Sequence, residues 1–232
     1  MLNYKIFTVN PFAENAIVLW SDAGKDGAIV DPGCMTDDEL RTLTDFIGKE
    51  GISPKMILLT HGHFDHIYGV PALASTYGIP VYMSPDDAPT VEGNHRISRM
   101  FRLPDAPTAF ETVPVKDGDK ISFGDISFKV ITTPGHTPGG VCYYDETDNL
   151  LLSGDTLFAG AIGRTDHFGG DYDKLIVSIM EKLMDLPGDV DVIPGHGPAT
   201  SIAVERTQNP FLQPFNEPDE DMPEEGIPIR FE

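Results

Sequence analysis

The stretch Thr60-His61-Gly62-His63-Phe64-Asp65-His66 constrains this chain more than any other part of it. It follows directly on Met56–Leu59, a continuous apolar run that reads as a strand buried on both faces, so a rigid strand stands behind a polar loop. Side chains two apart on extended backbone point to the same side, which lets the His61 and His63 imidazoles reach one metal ion. Asp65 and His66 come after a change of direction and can serve a neighbouring ion. Histidine is the commonest metal ligand, and a cluster this dense is the first pointer to a metal site. The bland alternative is a polar loop of solvated histidines, and the rest of the chain weighs against it.

His136 lies in Thr133-Pro134-Gly135-His136-Thr137, just past an expected strand at Ile126–Thr132. Asp155 lies in Ser153-Gly154-Asp155 past Leu150–Leu152, and His196 lies in Pro194-Gly195-His196-Gly197 past Val190–Ile193. Each candidate therefore sits at the C-terminal end of a strand beside a glycine that permits close backbone approach. One arrangement accounts for five of the seven histidines. The ligand set mixes nitrogen and oxygen without thiolate, which suits zinc, iron or manganese. The expectation is two divalent ions, zinc first among them. A carboxylate such as Asp155 can bridge ions about 3.5–4 Å apart, and a hydroxide held between them is nucleophilic because its pKa falls to about 7. Asp65 and Asp155 are thus the expected catalytic carboxylates, holding the ions whose water attacks. The ions also polarise the attacked carbonyl, so no serine or cysteine nucleophile is needed.

Elsewhere the chain alternates strand and helix signals. Ala16–Leu19, Ala28–Val30, Val81–Met83, Ile121–Phe123 and Val141–Tyr144 read as further strands. Thr36 reads as the N-cap of a helix with Asp37, Asp38 and Glu39 in its first turn and Gly51 at its end. A second helix is expected over Tyr172–Met184 and a short one near Ser201–Gln208. This order predicts an α/β protein of two sheets with helices outside. A net charge of −21 repels phosphate backbones and argues against a nucleic-acid partner. No apolar stretch reaches the ~18 residues of a membrane span, and the N-terminus does not read as a secretory signal. Cys34 and Cys142 form no C-x-x-C pair, so free thiols in the cytoplasm are expected.

His61-Gly62-His63-Phe64-Asp65-His66, with His136, Asp155 and His196 downstream, resembles the metallo-β-lactamase superfamily over nearly the whole chain. Gly163-Arg164-Thr165-Asp166, Pro194-Gly195-His196-Gly197-Pro198 and Glu205-Arg206 with Asn209-Pro210-Phe211 look like the short bacterial relatives of hydroxyacylglutathione hydrolase (glyoxalase II) in particular. The resemblance implies a four-layer αββα sandwich over residues 1–216, followed by an acidic tail at 217–232. It implies one metal on His61, His63 and His136, a second on Asp65, His66 and His196, and Asp155 bridging both. The implied activity is hydrolysis of a small anionic thioester, with S-lactoylglutathione as the leading substrate. Longer glyoxalase II proteins add a C-terminal helical domain that grips glutathione; 36 residues follow His196 here, so a complete hydrolytic centre is expected without that domain.

Arg96, Arg99 and Arg102 recur every third residue, as a helix or flap offering positive charge to the substrate or as a solvated face, the reading preferred for a charge run. Arg164 and Asp166 either brace the site or pair locally in a turn. His95 and His167 are left without a ligand position; Cys34 reads as a small apolar residue and Cys142 as core. The rival functions are a persulfide dioxygenase with one iron, a lactonase, and a non-catalytic binding scaffold on the same fold. A β-lactamase and a nuclease are disfavoured by the N-terminus and by the charge. The residues specify no oligomeric state.

Overall fold

The structure, a computed structural model, describes residues 1–213; the acidic tail expected at 217–232 lies outside the described residues. Strands β1 (Leu2–Val9), β2 (Glu14–Ser21), β3 (Asp26–Val30), β4 (Ser53–Leu58), β5 (Val81–Met83) and β6 (Val113–Pro114) form one sheet in that order. It is antiparallel from β1 to β3 and parallel from β3 to β6. The second sheet takes β7 (Lys120–Phe123), β8 (Ile126–Thr132), β9 (Val141–Asp145) and β10 (Leu150–Gly154). Beyond a separate hairpin of β11 (Leu157–Phe158) and β12 (Ala161–Ile162), it adds β13 (Asp191–Pro194) and β14 (Thr200–Ser201). Its order is β14-β13-β10-β9-β8-β7, parallel between β10 and β13 and antiparallel elsewhere.

The two-residue period of the strands assigns every buried face. Ile17, Leu19, Met56 and Leu58 of the first sheet meet Phe128, Val130, Tyr143, Leu150 and Leu152 of the second in the central apolar layer. Their neighbours in sequence turn outward. Ala16, Val18, Ile57 and Leu59 pack under α1 (Asp37–Glu50), α2 (Phe64–Ile67), α3 (Val70–Tyr77) and α4 (Ala88–Met100), through Leu43, Ile47, Ile67, Val70, Leu73 and Val91. On the other flank, Ile131, Cys142, Tyr144, Leu151 and Val192 pack under α5 (Tyr172–Ser178) and α6 (Ile202–Gln208). Three apolar layers between four structural ones make the αββα sandwich.

Helix α1 begins and ends where its sequence predicts. Thr36 Oγ1 accepts from the Glu39 N–H and Glu39 Oε2 accepts from the Thr36 N–H, while Gly51 closes the helix at φ 67°. The second expected helix is shorter than Tyr172–Met184, because Ile179–Leu183 forms a π-helical turn. At α-helical pitch Leu183 would drift about 80° from Leu175; the wider turn returns it to the buried face. Several elements were not anticipated in full, and the three longest of them lack a periodic signal. Strand β1 is a half-exposed edge with mixed burial, α3 is brief, and α4 contains Pro89 and Gly93 and buries only Val91, Asn94 and Ser98. Among the described residues no helix is long and apolar enough to cross a membrane.

One polar contact crosses the central layer beside the ligand-bearing loop: fully buried Tyr143 donates its Oη to the Leu59 carbonyl at 2.8 Å. Tyr143→Phe removes the donor and leaves that carbonyl short of a partner, a loss of about 1–2 kcal/mol. A urea midpoint that does not move would show that the contact contributes nothing.

Candidate metal centre

Every candidate ligand stands just past a strand, at the edge where the two sheets meet. Leu59 and Thr60 extend β4, and the Thr60 carbonyl accepts from the Val141 N–H at 2.8 Å, tying the ligand loop to the second sheet. His63 is the extended N-cap residue of α2, and that short helix turns Asp65 and His66 back toward His61. Gly154, at φ 49°, turns the chain at the end of β10 so that Asp155 enters the cluster. At Gly195 a Cβ would collide with Asp155 Oδ1 and the His66 ring, so the loop carrying His196 closes only without a side chain there.

Two triads result. The ligand atoms of His61, His63 and His136 lie within 4.8 Å of one another, and so do those of Asp65, His66 and His196. Asp155 stands between them. Its Oδ2 is 3.4 Å from His136 Nε2 and 3.7 Å from His196 Nε2, and its Oδ1 is 3.5 Å from His66 Nε2. All seven residues nominated from the sequence are therefore brought to one place, in the grouping the resemblance implied.

The donor set fits a pair of cations. His63 Nδ1 faces His136 Nε2 at 2.9 Å, and His66 Nε2 faces His196 Nε2 at 3.3 Å. At such separations two imidazole nitrogens need a ring proton or a cation between them. A tetrahedral ion with bonds of about 2.0 Å sets its ligand nitrogens about 3.3 Å apart. His61 Nε2 and Asp155 Oδ1 are buried atoms with no hydrogen-bond partner, which is costly unless a cation satisfies them. His61, Asp65, His66 and His136 are buried, while His63, Asp155 and His196 are half-buried and mark the open side.

The outer nitrogens are held by partners that the sequence reading missed. Asp31 Oδ2 accepts from Thr60 Oγ1 at 2.5 Å and faces His66 Nδ1 at 3.1 Å, while its Oδ1 accepts from the Thr60 N–H at 2.7 Å. Thr60 Oγ1 in turn lies 3.0 Å from His61 Nδ1. His136 Nδ1 donates to the Arg164 carbonyl at 2.8 Å and His196 Nδ1 to the Phe12 carbonyl at 3.0 Å. Fully buried Asp87 accepts from the Gly62 N–H, the Gly139 N–H and Thr137 Oγ1, which clips the His61–His63 loop to the His136 loop. The position of Asp31 at the end of β3 was the one available signal, since it repeats the pattern of the ligands.

Charge divides the site in two. Burial and the neighbouring imidazoles hold His61 and His63 well below the ordinary histidine range, and burial lowers His136 despite Asp155. Burial also pulls His66 down, but Asp155, Asp31 and Asp65 outweigh it and lift it to about 9. His196 rises for the same kind of reason, against burial, through its contacts with Asp65 and Asp155. Asp65 is held below the usual carboxylate range: burial would raise it, and the His196 contact and the charges of His66 and His63 prevail.

The weaker candidates separate. Arg96, Arg99 and Arg102 lie on the exposed end of α4 and just beyond it, with Arg99 Nε 3.2 Å from Asp105. Arg164 meets Asp166 through two hydrogen bonds at the surface, so it is its carbonyl and not its guanidinium that touches the ligand set. His95 binds the Glu92 carbonyl in α4, away from the cluster. His167 belongs to neither triad, yet its ring packs against those of His63 and His136 at 4.8 and 5.0 Å, a position nothing in the sequence signalled. Cys34 and Cys142 are buried and unbridged.

Comparison with known proteins agrees with this geometry. The family described as the Metallo-beta-lactamase superfamily matches residues 9–196. "Probable metallo-hydrolase YqgX" of Bacillus subtilis is 37% identical, over 93% of this chain and 100% of its own. "Hydroxyacylglutathione hydrolase GloC" of Haemophilus influenzae is 34% identical, over 91% and 98%. Among solved structures, the BLEG-1 B3 metallo-beta-lactamase superposes with a TM-score of 0.82 at 38% identity, covering 90% of this chain and 99% of its own. TTHA1623 in a di-iron-bound form gives 0.80 at 37%, covering 90% and 100%. With its fold, its ligand-bearing strand ends and these likenesses in agreement, the chain belongs to the metallo-β-lactamase superfamily.

Proposed function

We propose that this protein is a binuclear metallohydrolase that cleaves a thioester such as S-lactoylglutathione. The observation that carries this reading is the pair of triads joined by Asp155. It is supported by the 34% identity to a hydroxyacylglutathione hydrolase over nearly the full length of both chains, and by the di-iron form of a protein 37% identical. His61, His63 and His136 would hold one ion, Asp65, His66 and His196 the other, and Asp155 both. Zinc is the first choice for this donor set, with iron and manganese also compatible. The ions supply an activated water at neutral pH and a Lewis acid for the carbonyl.

The chain's own residues orient that chemistry. Asp31 behind His66, the Arg164 carbonyl behind His136 and the Phe12 carbonyl behind His196 fix which ring nitrogen faces inward. Neither cysteine competes as a nucleophile: burial pushes the Cys34 thiol up to about 12 and the Cys142 thiol to about 11. Two free, buried thiols also suit the cytoplasmic setting expected from the sequence.

Purified metal-loaded protein is expected to hydrolyse S-lactoylglutathione, with His61→Ala losing at least about a thousandfold in kcat/KM. A β-lactam and a lactone serve as control substrates. Absent turnover of S-lactoylglutathione by fully loaded protein would reject that substrate.

A ligand must shed its proton to bind metal. His61, His63 and His136 are already neutral at pH 7, whereas His66 keeps its proton up to about 9. The first ion is therefore expected to bind with little pH dependence. Affinity for the second should fall by at least about tenfold per unit as pH drops below 9, since His66, and at lower pH the raised His196 as well, must give up a proton. Calorimetric titration across that range checks both slopes, and equal slopes would contradict the division.

A further inference from the structure

A cluster of aromatic rings stands beside the loops that carry His63, Asp65 and His196. Phe64 sits between His63 and Asp65 and is 7% exposed. Phe12, whose carbonyl holds His196, meets the Phe64 ring edge-on at 5.1 Å. Phe101, at the C-cap of α4, meets Phe12 at 5.7 Å and lies over Phe64 at 6.2 Å. Its outer face is open, at 51% exposure, and Met100 beside it is 71% exposed. On the other flank of His196 the Phe158 ring stands 6.4 Å away. Of the four arginines nominated to greet an anion, Arg99 and Arg164 are each engaged by an aspartate, while Arg96 and Arg102 are exposed.

An aromatic cluster that ends in a half-exposed ring beside a polar centre is a surface for an apolar group; small-molecule sites combine such walls with few polar anchors. Thiol carriers are mostly polar or charged, so the acyl side of a thioester is the arm suited to this wall. We propose that Phe12, Phe64 and Phe101 form an acyl subsite, and that among thioesters this protein favours those with an apolar or aromatic acyl group over a small polar one. The proposal rests on the thioesterase reading and names its substrate class.

The test compares S-phenylacetyl- and S-acetyl-N-acetylcysteamine as substrates of the metal-loaded protein. The wild type is expected to prefer the phenylacetyl ester by about tenfold or more in kcat/KM. In Phe101→Ala that ratio falls to near one with metal content unchanged, and Phe101→Tyr keeps it. No preference in the wild type, or an unchanged ratio in Phe101→Ala, overturns the subsite. If neither ester is turned over, thioester hydrolysis fails on its own, and the wall is read by calorimetry with the S-benzyl and S-methyl thioethers of N-acetylcysteamine. Tighter binding of the benzyl compound, lost in Phe101→Ala, supports the subsite; equal binding of the two overturns it.

Discussion

Imidazoles and carboxylates aimed at one another from four loops need protons or cations between them, and the architecture serves that convergence. The ligands come from the ends of β4, β8, β10 and β13 and from the short helix after β4, so neither sheet alone could assemble them. The sheets must therefore be locked at this edge. Thr60 to Val141 and Asn15 to Gly195 are backbone bonds that join them there, Gly195 to Gly154 ties together two ligand loops of the second sheet, and Asp87 clips two more. The central apolar layer supplies the rigidity behind these contacts, because residues packed as densely as an organic crystal do not let strand ends drift.

The two halves of the centre differ in their protons. Three neutral imidazoles in one triad need nothing removed before a cation enters. The other triad gathers Asp65 and His66, with Asp31 and Asp155 close by, and that negative surround keeps a proton on His66. A third element, the aromatic border on the side of His196, gives the opening an apolar wall in a chain whose net charge is −21.

The metal ligands were legible in the sequence because strand-end position, glycine neighbours and residue type all pointed the same way. The sandwich was legible for a related reason: β10 is an apolar run, β8 alternates buried apolar with exposed polar residues over most of its length, and α1 carries its own start and stop signals. What escaped was held by long-range contacts. Asp31 and Asp87 look like ordinary loop aspartates until the fold sets them behind His66 and between two loops. The approach of His167 to His63, and of Phe101 to Phe12, joins segments about ninety or more residues apart, beyond any local pattern. Helix α4 was obscured by its proline and glycine and by polar residues on its buried face.

Metal content per chain tests the central claim most directly. Protein reconstituted with excess zinc, then desalted and analysed by elemental analysis, should retain two ions per chain, falling to one after His136→Ala and to one after His196→Ala. At most one ion in the wild type, or the full complement in both variants, would contradict a centre built from two triads joined by Asp155.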